Sequence, residues 1–516
     1  EARTWQVATA CQPGWACDRI EKIYQERFYL YLMTNKPSDK LIFSYSRLNS
    51  SGSSMSPCYF VKEIKRVLKN VKIAVIDKEN YLCSKNTLYR YIVDSLAAYE
   101  KGSEEYRPLN IMLKYIKENE DELLKRLHDA YSYNNYVAPL SSELVEKLFG
   151  KELTLSVSRL EKYARCPFSY FISYGLNIRE PYDYSFESND YGNLIHRILE
   201  LYGRRIMDWG IKYSDLTFEE HIKLSSEVID QAFKEIDYAF DDTKRLSFLE
   251  DAIRDIANDN LDVIAWQNKR SAFEPCGFEL SFSDFGDLKS PVIRLDDGRN
   301  VKLSGIIDRI DECSLDDKKM IRVIDYKTGK TRFDLTQIYY GIQLQLLTYM
   351  NVLQAEGDVK AGYYYHVDKP LIDYKADDEI NYDILLKRHD YYKSYLNEFK
   401  LNGFTDSSSD VIEKLELHEK SGALDTINVN YNKDGTFSKN SDLLASDEIK
   451  DLLRYQSLKL KGIANDMLKG DISISPYIMS NQTSCDYCVF KDICAVRKSN
   501  IGAFRRFSRK KIEDIR

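Results

Sequence analysis

Residues Val323 to Thr331, "VIDYKTGKT", admit two readings that demand different folds. Read from its end, "TGKT" looks like the close of a phosphate-cradling nucleotide loop, which follows a strand and opens a helix. That loop needs glycine at position 324, where the chain has Ile324. It also needs the strand to finish before the loop, whereas here the charged residues come first. The nucleotide-loop reading, and with it an ATP site, fails on spacing. Read from its start, the stretch is a strand with side chains on alternate faces, so Asp325 and Lys327 share one side and Tyr326 takes the other.

The preceding strand-like run, "KLSGIIDRIDE", offers Asp308 from a neighbouring position. Two carboxylates with the Tyr326 backbone carbonyl between them make a hard-oxygen site suited to Mg2+ or Mn2+. Lys327 beside it can orient or deprotonate a water and stabilise charge on a phosphoryl oxygen. Upstream, "GNLIHRILE" sets His196 on a helical segment with Glu200 one turn later, and neutral imidazole is an ordinary further ligand for a divalent metal. Downstream, "YYGIQLQLLTYM" predicts a helix with Gln345 and Tyr349 four apart on one face. Their polar ends can hold a phosphate or the attacking water. The chain order is His, Asp, Asp-x-Lys, Gln-x-x-x-Tyr.

A second constellation is made of sulfur. "SCDYCVFKDICAV" spaces Cys485, Cys488 and Cys494 as C-x2-C-x5-C, and three thiolates this close read as soft metal ligands. The chain offers a fourth, Cys166 in "ARCPFSYF", more than 300 residues earlier. Zinc and an iron–sulfur cluster both take four thiolates, and spacing does not separate them. Either would tie the start of the region to its end. The remaining cysteines (Cys11, Cys17, Cys58, Cys83, Cys276, Cys313) are scattered. Most of them read as buried small apolar residues, and Cys11 and Cys17 receive no role. Ten cysteines in a long chain without a secretion signal argue against a disulfide scaffold.

At 516 residues, two or more domains are expected. No run of eighteen apolar residues occurs, so no transmembrane helix is expected. The chain begins "EARTWQVATA" with neither Met nor an apolar signal segment, which reads as a cytoplasmic protein or a fragment of a longer one. A net charge of −7 gives no overall pull toward nucleic acid, which disfavours a passive DNA-coating protein. It leaves room for an enzyme with basic residues confined to a channel. The last twenty residues carry eight Lys or Arg against two acids, either a solvated basic face or a contact to nucleic-acid backbone.

Residues 1–150 alternate strand-like runs ("KLIFSYSRL", "VKIAVID") with helical ones ("YFVKEIKRVLKN", "NTLYRYIVDSLAAYE"), predicting an α/β unit. A second unit opens at "LTLSVSRLEKYARCPFSYFISYGL", where Ser156 or Ser158 caps a helix through Tyr163. Helical stretches run to about Arg270, and strands then cluster from "CGFELSFSDF" to "AGYYYHV". A hairpin is expected at Asp434-Gly435.

Cys166, "GNLIHRILE", "SGIIDRID", "VIDYKTGK", "QLQLLTY" and the terminal C-x2-C-x5-C together resemble the nuclease domain of the AddB family. These are subunits of bacterial AddAB helicase–nucleases, in the branch of the PD-(D/E)xK superfamily that includes RecB and Cas4. The likeness covers about residues 153–516, while "LIFSYSRLNSSGSSMSPCYFVKEI" resembles the end of the family's degenerate helicase-like region. The resemblance implies a restriction-endonuclease-like α/β core, a mixed sheet flanked by helices, over 151–516, behind a helicase-like α/β remnant over 1–150. It further implies Mg2+ at His196, Asp308, Asp325 and the Tyr326 carbonyl, and Lys327 as the catalytic lysine. Gln345 and Tyr349 match the family's Gln-x-x-x-Tyr motif. A structural [4Fe-4S] cluster at Cys166, Cys485, Cys488 and Cys494 is implied as well. In this family an exonuclease acts on single DNA strands unwound with the partner AddA, in double-strand break repair and recombination. Ile307 stands where the superfamily's namesake proline would precede Asp308, a departure that RecB-type members share. Two rival readings are a DNA-binding scaffold with a vestigial centre and a free-standing Cas4-like exonuclease. Filled catalytic positions disfavour the first, and the long first unit disfavours the second.

Overall fold

A computed structural model describes residues 19–47, 54–68, 71–72, 74, 84–97, 106–132, 137–150, 153–179, 188–235, 244–315, 318–329, 331–368, 395–417, 422–480, 482–494, 496 and 504–515. The chain forms two compact units, Glu1–Leu124 and Lys125–Arg516.

The described part of the first unit is helical: Arg19–Asn35, Tyr59–Val67, Lys85–Ala97 and Tyr106–Asn119. Ile92, Leu109 and Ile116 are buried there. The strand expected in "KLIFSYSRL" does not form, and Leu41, Ile42 and Phe43 are exposed. A strand needs a ladder to satisfy its backbone groups, and at the end of this run the Arg47 carbonyl accepts a single bond, from the Met55 N–H at 2.7 Å. Most of "VKIAVID", together with Cys11, Cys17 and Cys83, lies outside the described residues.

The division at 124/125 falls within the helix Asp121–Ser132, and the helix Ser142–Phe149, just before the expected boundary at 150, packs into the second unit. Ser141 caps it by accepting from the Leu144 N–H, Val145 enters the core, and the Leu140 N–H donates to Gly470 O at 2.9 Å.

The second unit is built on one mixed sheet. Its strands are β1 (Leu153–Ser156), β2 (Glu274–Ser283), β3 (Leu288–Lys289), β4 (Val292–Arg294), β5 (Asn300–Leu315), β6 (Lys318–Lys327), β7 (Asp358–His366), β8 (Asn402–Asp406) and, after the ribbon β9 (Gly422–Ala423) and β10 (Asn430–Tyr431), β11 (Leu443–Leu444). The order is β11-β8-β7-β6-β5-β2-β3, with β1 and β4 also pairing with the long β5. β5 and β6 are antiparallel in the register Arg309↔Ile324, Ile310↔Val323, Asp311↔Arg322. β6 and β7 are parallel, with Asp325 beside Tyr364.

Alternation along these strands builds two cores. Ile310, Ile321, Val323 and Tyr364 pack against the helices Val157–Arg165, Gln345–Leu353 and Ser446–Leu468. Ile324, Tyr326, Tyr363 and Tyr365 pack on the opposite face against Ser188–Trp209, Phe218–Glu235 and Lys244–Asn268. Each buried Ile, Val or Leu contributes about 1.5–3 kcal/mol, so both faces hold the sheet.

Local signals behave as their chemistry requires. Ser156 is the N-cap expected for its helix, accepting from the Arg159 N–H at 3.3 Å. The Asp434-Gly435 turn closes with Tyr431 bridged to Phe437. The helix expected through "YYGIQLQLLTYM" is instead two, Leu335–Tyr340 and Gln345–Leu353. Gly341 at φ +82° ends the first in the left-handed conformation that glycine adopts without strain. Of the scattered cysteines described, Cys58 is exposed and Cys276 and Cys313 are half-buried, so none reaches the full burial expected.

Candidate active site

The middle of β5 and the end of β6 bring the predicted carboxylates together. Asp325 and Lys327 lie on the face of the Gln345 helix, while Tyr326 enters the opposite core, as strand alternation requires. Asp308 reaches across from β5, and its Oδ2 accepts the Tyr326 N–H at 2.7 Å. Lys327 Nζ pairs closely with Asp325 Oδ2 and donates to Gln345 Oε1 at 3.3 Å. Gln345 Nε2 in turn donates to Tyr349 OH at 2.5 Å. Thus Asp308, Asp325, Lys327, Gln345 and Tyr349 form one connected group.

His196 arrives from the other helical layer. Its Nδ1 lies 3.7 Å from Asp308 Oδ2 and 3.5 Å from Glu279 Oε1. The His196 helix gets this close to β2 because Gly203 lies flat on Phe278, where a Cβ would stand 2.0 Å from the ring. Arg204 secures the contact by donating to Phe278 O at 2.6 Å. Glu200 faces away from the metal-ligating groups, paired with Arg197 and Arg204 at 2.8 Å.

Two carboxylates escaped the sequence reading. Glu279 sits at φ +49° on β2, and single ligand atoms of His196, Glu279 and Asp308 lie within 4.8 Å of one another. The available signal was an acid inside an otherwise apolar strand, "GFELSF". Glu161, in the helix before Cys166, accepts the Leu344 and Gln345 N–H groups at 2.5 and 3.0 Å. It supplies the cap that Leu344 has no side chain to provide, and so sets where the Gln345 helix begins. Its signal was an acid at the helical spacing of the buried Leu160 and Ala164.

The electrostatics are those of a site short of positive charge. Burial, then the Asp325 charge, pushes the Asp308 carboxyl far above the carboxylate range. Burial raises Asp325 as well, against the pull of Lys327. Burial alone would lower Lys327, but Asp325 and Asp308 more than offset it and hold the ammonium charged. His196 is likewise drawn down by burial and up, on balance, by Glu279 and Asp308. Glu279 Oε1 and Asp325 Oδ1 are buried with no hydrogen-bond donor among the described residues. Crowded carboxylate oxygens with vacant lone pairs beside an imidazole are the donor set of a hard divalent cation.

The four predicted cysteines also converge. Burial, followed by the neighbouring Cys166, Cys494 and Cys488, pushes the Cys485 thiol up to about 11. Cys166 feels Cys488 in the same way, and Cys488 Sγ lies 3.9 Å from Ser169 Oγ. Arg505 braces this corner by donating to Ala164 O and Arg165 O at 2.6 and 2.9 Å, the carbonyl end of the Cys166 helix.

Among the described residues no helix is long and apolar enough to cross a membrane. The B-type subunit of an ATP-dependent helicase/deoxyribonuclease from Clostridium tetani is 30% identical over 515 residues, covering 97% of this chain and 44% of that protein. The protein of the same name from Caldanaerobacter subterraneus is 30% identical over 503 residues, 92% of this chain and 42% of its own length. That from Clostridioides difficile is 29% identical over 509 residues, 92% and 43%. The chain therefore spans less than half the length of these relatives. A model of the PD-(D/E)XK nuclease superfamily matches residues 154–495, which hold His196, Glu279, both aspartates, the lysine and all four cysteines. With Asp308, Asp325 and Lys327 clustered on adjacent strands of a mixed sheet, the chain belongs to the PD-(D/E)XK nuclease superfamily.

Proposed function

We propose that the chain is the nuclease-bearing part of an AddB-type subunit and cuts single DNA strands in an AddAB-type helicase–nuclease. The observation that carries this reading is the junction of Asp308, Asp325, Lys327 and Gln345 over buried, donor-free carboxylate oxygens. His196, Glu279, Asp308, Asp325 and the Tyr326 carbonyl would hold Mg2+ or Mn2+. When bound, the cation supplies Lewis acidity and offsets charge at the scissile phosphate. Lys327, held charged, orients the attacking water and meets developing charge on a phosphoryl oxygen. Gln345, fixed by Lys327 and Tyr349, positions the phosphate or the water. The partner is a helicase subunit of the AddA type, and the setting is break processing in the cytoplasm.

The family resemblance assigns the thiol quartet to a [4Fe-4S] cluster in preference to zinc, and Cys166, Cys494 and Cys488 around Cys485 would supply the four thiolates that such a cube takes. Zinc without iron in anaerobically prepared protein would overturn that assignment.

The deciding experiment uses end-labelled single strands with Mg2+. Asp325→Ala and Lys327→Ala are each expected to lower the cleavage rate by about three orders of magnitude with the fold retained. Undiminished cleavage in both variants refutes the proposal.

A further inference from the structure

The basic tail is not consumed by the catalytic cluster. Its strand Arg505–Phe507 is built into a small sheet beside Tyr477–Met479. From there the chain runs along the segment that leaves Lys327, where the Lys510 N–H donates to Thr336 Oγ1 at 3.0 Å. That segment is tied back to the catalytic helix through Gln343, which accepts the Asp334 N–H at 2.9 Å and donates to Arg332 O at 2.8 Å. Between tail and segment lies a groove of about 620 Å³, whose lining includes Arg332, a few residues along the chain from Lys327.

The lining of this groove is cationic and aromatic. Arg332, Arg509 and Lys510, the last also paired with Asp514 at 3.5 Å, line it together with the half-buried Phe333 and the buried Phe404 and Phe507. Arg332 and Arg509 are exposed. Of the two acids on the lining, Asp442 feels the Arg332 charge, and both are oriented by hydrogen bonds. Asp334 caps the Thr336 N–H at 2.7 Å, and Asp442 accepts from Asn428 at 2.9 Å. The half-buried Phe333 ring packs at 4.8 Å on Phe404, and Phe507 stacks on Tyr340. Cations spaced along a channel with aromatic faces set among them match a strand's phosphates and its unpaired bases. In a chain of net charge −7, this concentration of cations is local to the tail side of the nuclease core.

We propose that this groove is a track for single-stranded nucleic acid, continuous with the strand being cut. Arg332, Arg509 and Lys510 hold phosphates, and Phe333 offers a face to a base. The proposal rests on the nuclease reading for its direction of travel, but its binding test stands apart from catalysis.

The test uses the full 516-residue chain. The variant is Arg332→Gln/Arg509→Gln, and the probe is a fluorescent oligothymidylate of about twelve nucleotides, within the span of known single-strand sites. Anisotropy is read in EDTA across a salt series. Two lost phosphate contacts are expected to lower affinity about tenfold and to make the log–log salt slope shallower by about 1.4. In Mg2+, hydrolysis of thymidine 5′-(p-nitrophenyl phosphate), too short to reach the groove, is expected at the wild-type rate. Equal affinity and equal slope in variant and wild type overturn the track, as does a wild type that binds no strand. Equal losses on the strand and on the short ester overturn it too, since they place the defect in the catalytic cluster. If wild type binds the strand, the variant does not, and neither cleaves, the nuclease reading fails while the track stands.

Discussion

Asp308→Asn is expected to stabilise the fold in EDTA while removing activity. Asp308 stands in a buried cluster with Asp325 and Glu279, faced by His196 and Lys327. Its ligand oxygen lies within 4.8 Å of that of Glu279. Two unit charges at that separation repel by about 3 kcal/mol at an effective dielectric of about 20. The attraction of a charged His196 at 3.7 Å is of similar size, about 4 kcal/mol, so burial and the Asp325 charge tip the balance against the carboxylate, a net penalty of about 1–3 kcal/mol. Asparagine keeps an oxygen for the Tyr326 N–H, so the one good hydrogen bond of Asp308 survives the change. For a unit of this size such a gain raises the melting temperature by roughly 2 °C. Calorimetry in EDTA, then across a Mg2+ titration, reads the effect. Mg2+ should raise the melting temperature of wild type well above that in EDTA, and that of the variant much less. A variant that melts below wild type in EDTA refutes the reasoning, because the carboxylate would then be a net stabiliser.

Two further substitutions probe what surrounds the cluster. Asp311→Asn should cost about 3–5 kcal/mol in urea unfolding, because the buried Arg309 and Arg322 lose their shared carboxylate at 2.6–2.8 Å. Burial would raise Asp311, but the two guanidiniums hold it below its ordinary value. Its contribution is therefore full above about pH 4 and fades as pH falls through the folded value, and the variant should lack that acid slope. Gly203→Ala places a methyl 2.0 Å from the Phe278 ring and should push the His196 helix off β2, at about 1–3 kcal/mol. The discriminating readout is a loss of Mg2+-induced thermal stabilisation, which unchanged metal dependence would contradict.

What the sequence made legible has a common character: it depends on a local period or cap. Asp325 and Lys327 share a face because strand side chains alternate, whatever the strand packs on. Gln345 and Tyr349 meet because residues four apart on a helix are neighbours. Ser156 caps its helix through an N–H three residues on. The unread features depend on what arrives from elsewhere. Glu279 matters only because Gly203 admits the His196 helix to β2. Glu161 matters only because the break at Gly341 leaves the Gln345 helix to be capped across the core. The "KLIFSYSRL" strand fails for want of a ladder, which its own alternation cannot show. A motif of three thiolates calls for a fourth, but number alone does not single Cys166 out of ten cysteines, because its approach to the other three is made by the fold.

The two faces of β5 and β6 explain how so unfavourable a cluster is tolerated. On one face, Asp308 and Asp325 stand beside Lys327, and Asp325 Oδ1 has no donor among the described residues. On the other, one to three residues away on the same strands, Arg309, Asp311 and Arg322 form a buried network. Asn268 and Ser271 extend it, at 2.5 Å from Arg309 and 3.1 Å from Arg322 respectively. The charged hydrogen bonds of that network lock the register Asp311↔Arg322, and the register alone decides that Asp308 stands beside Asp325. A slip of either strand by one residue would turn its aspartate into the tyrosine-rich core and leave the other behind. The satisfied charges thus hold the strands in the only alignment that keeps the unsatisfied ones together. Asp311→Asn should accordingly loosen metal affinity as well as stability, although no atom of Asp311 is among the ligating groups.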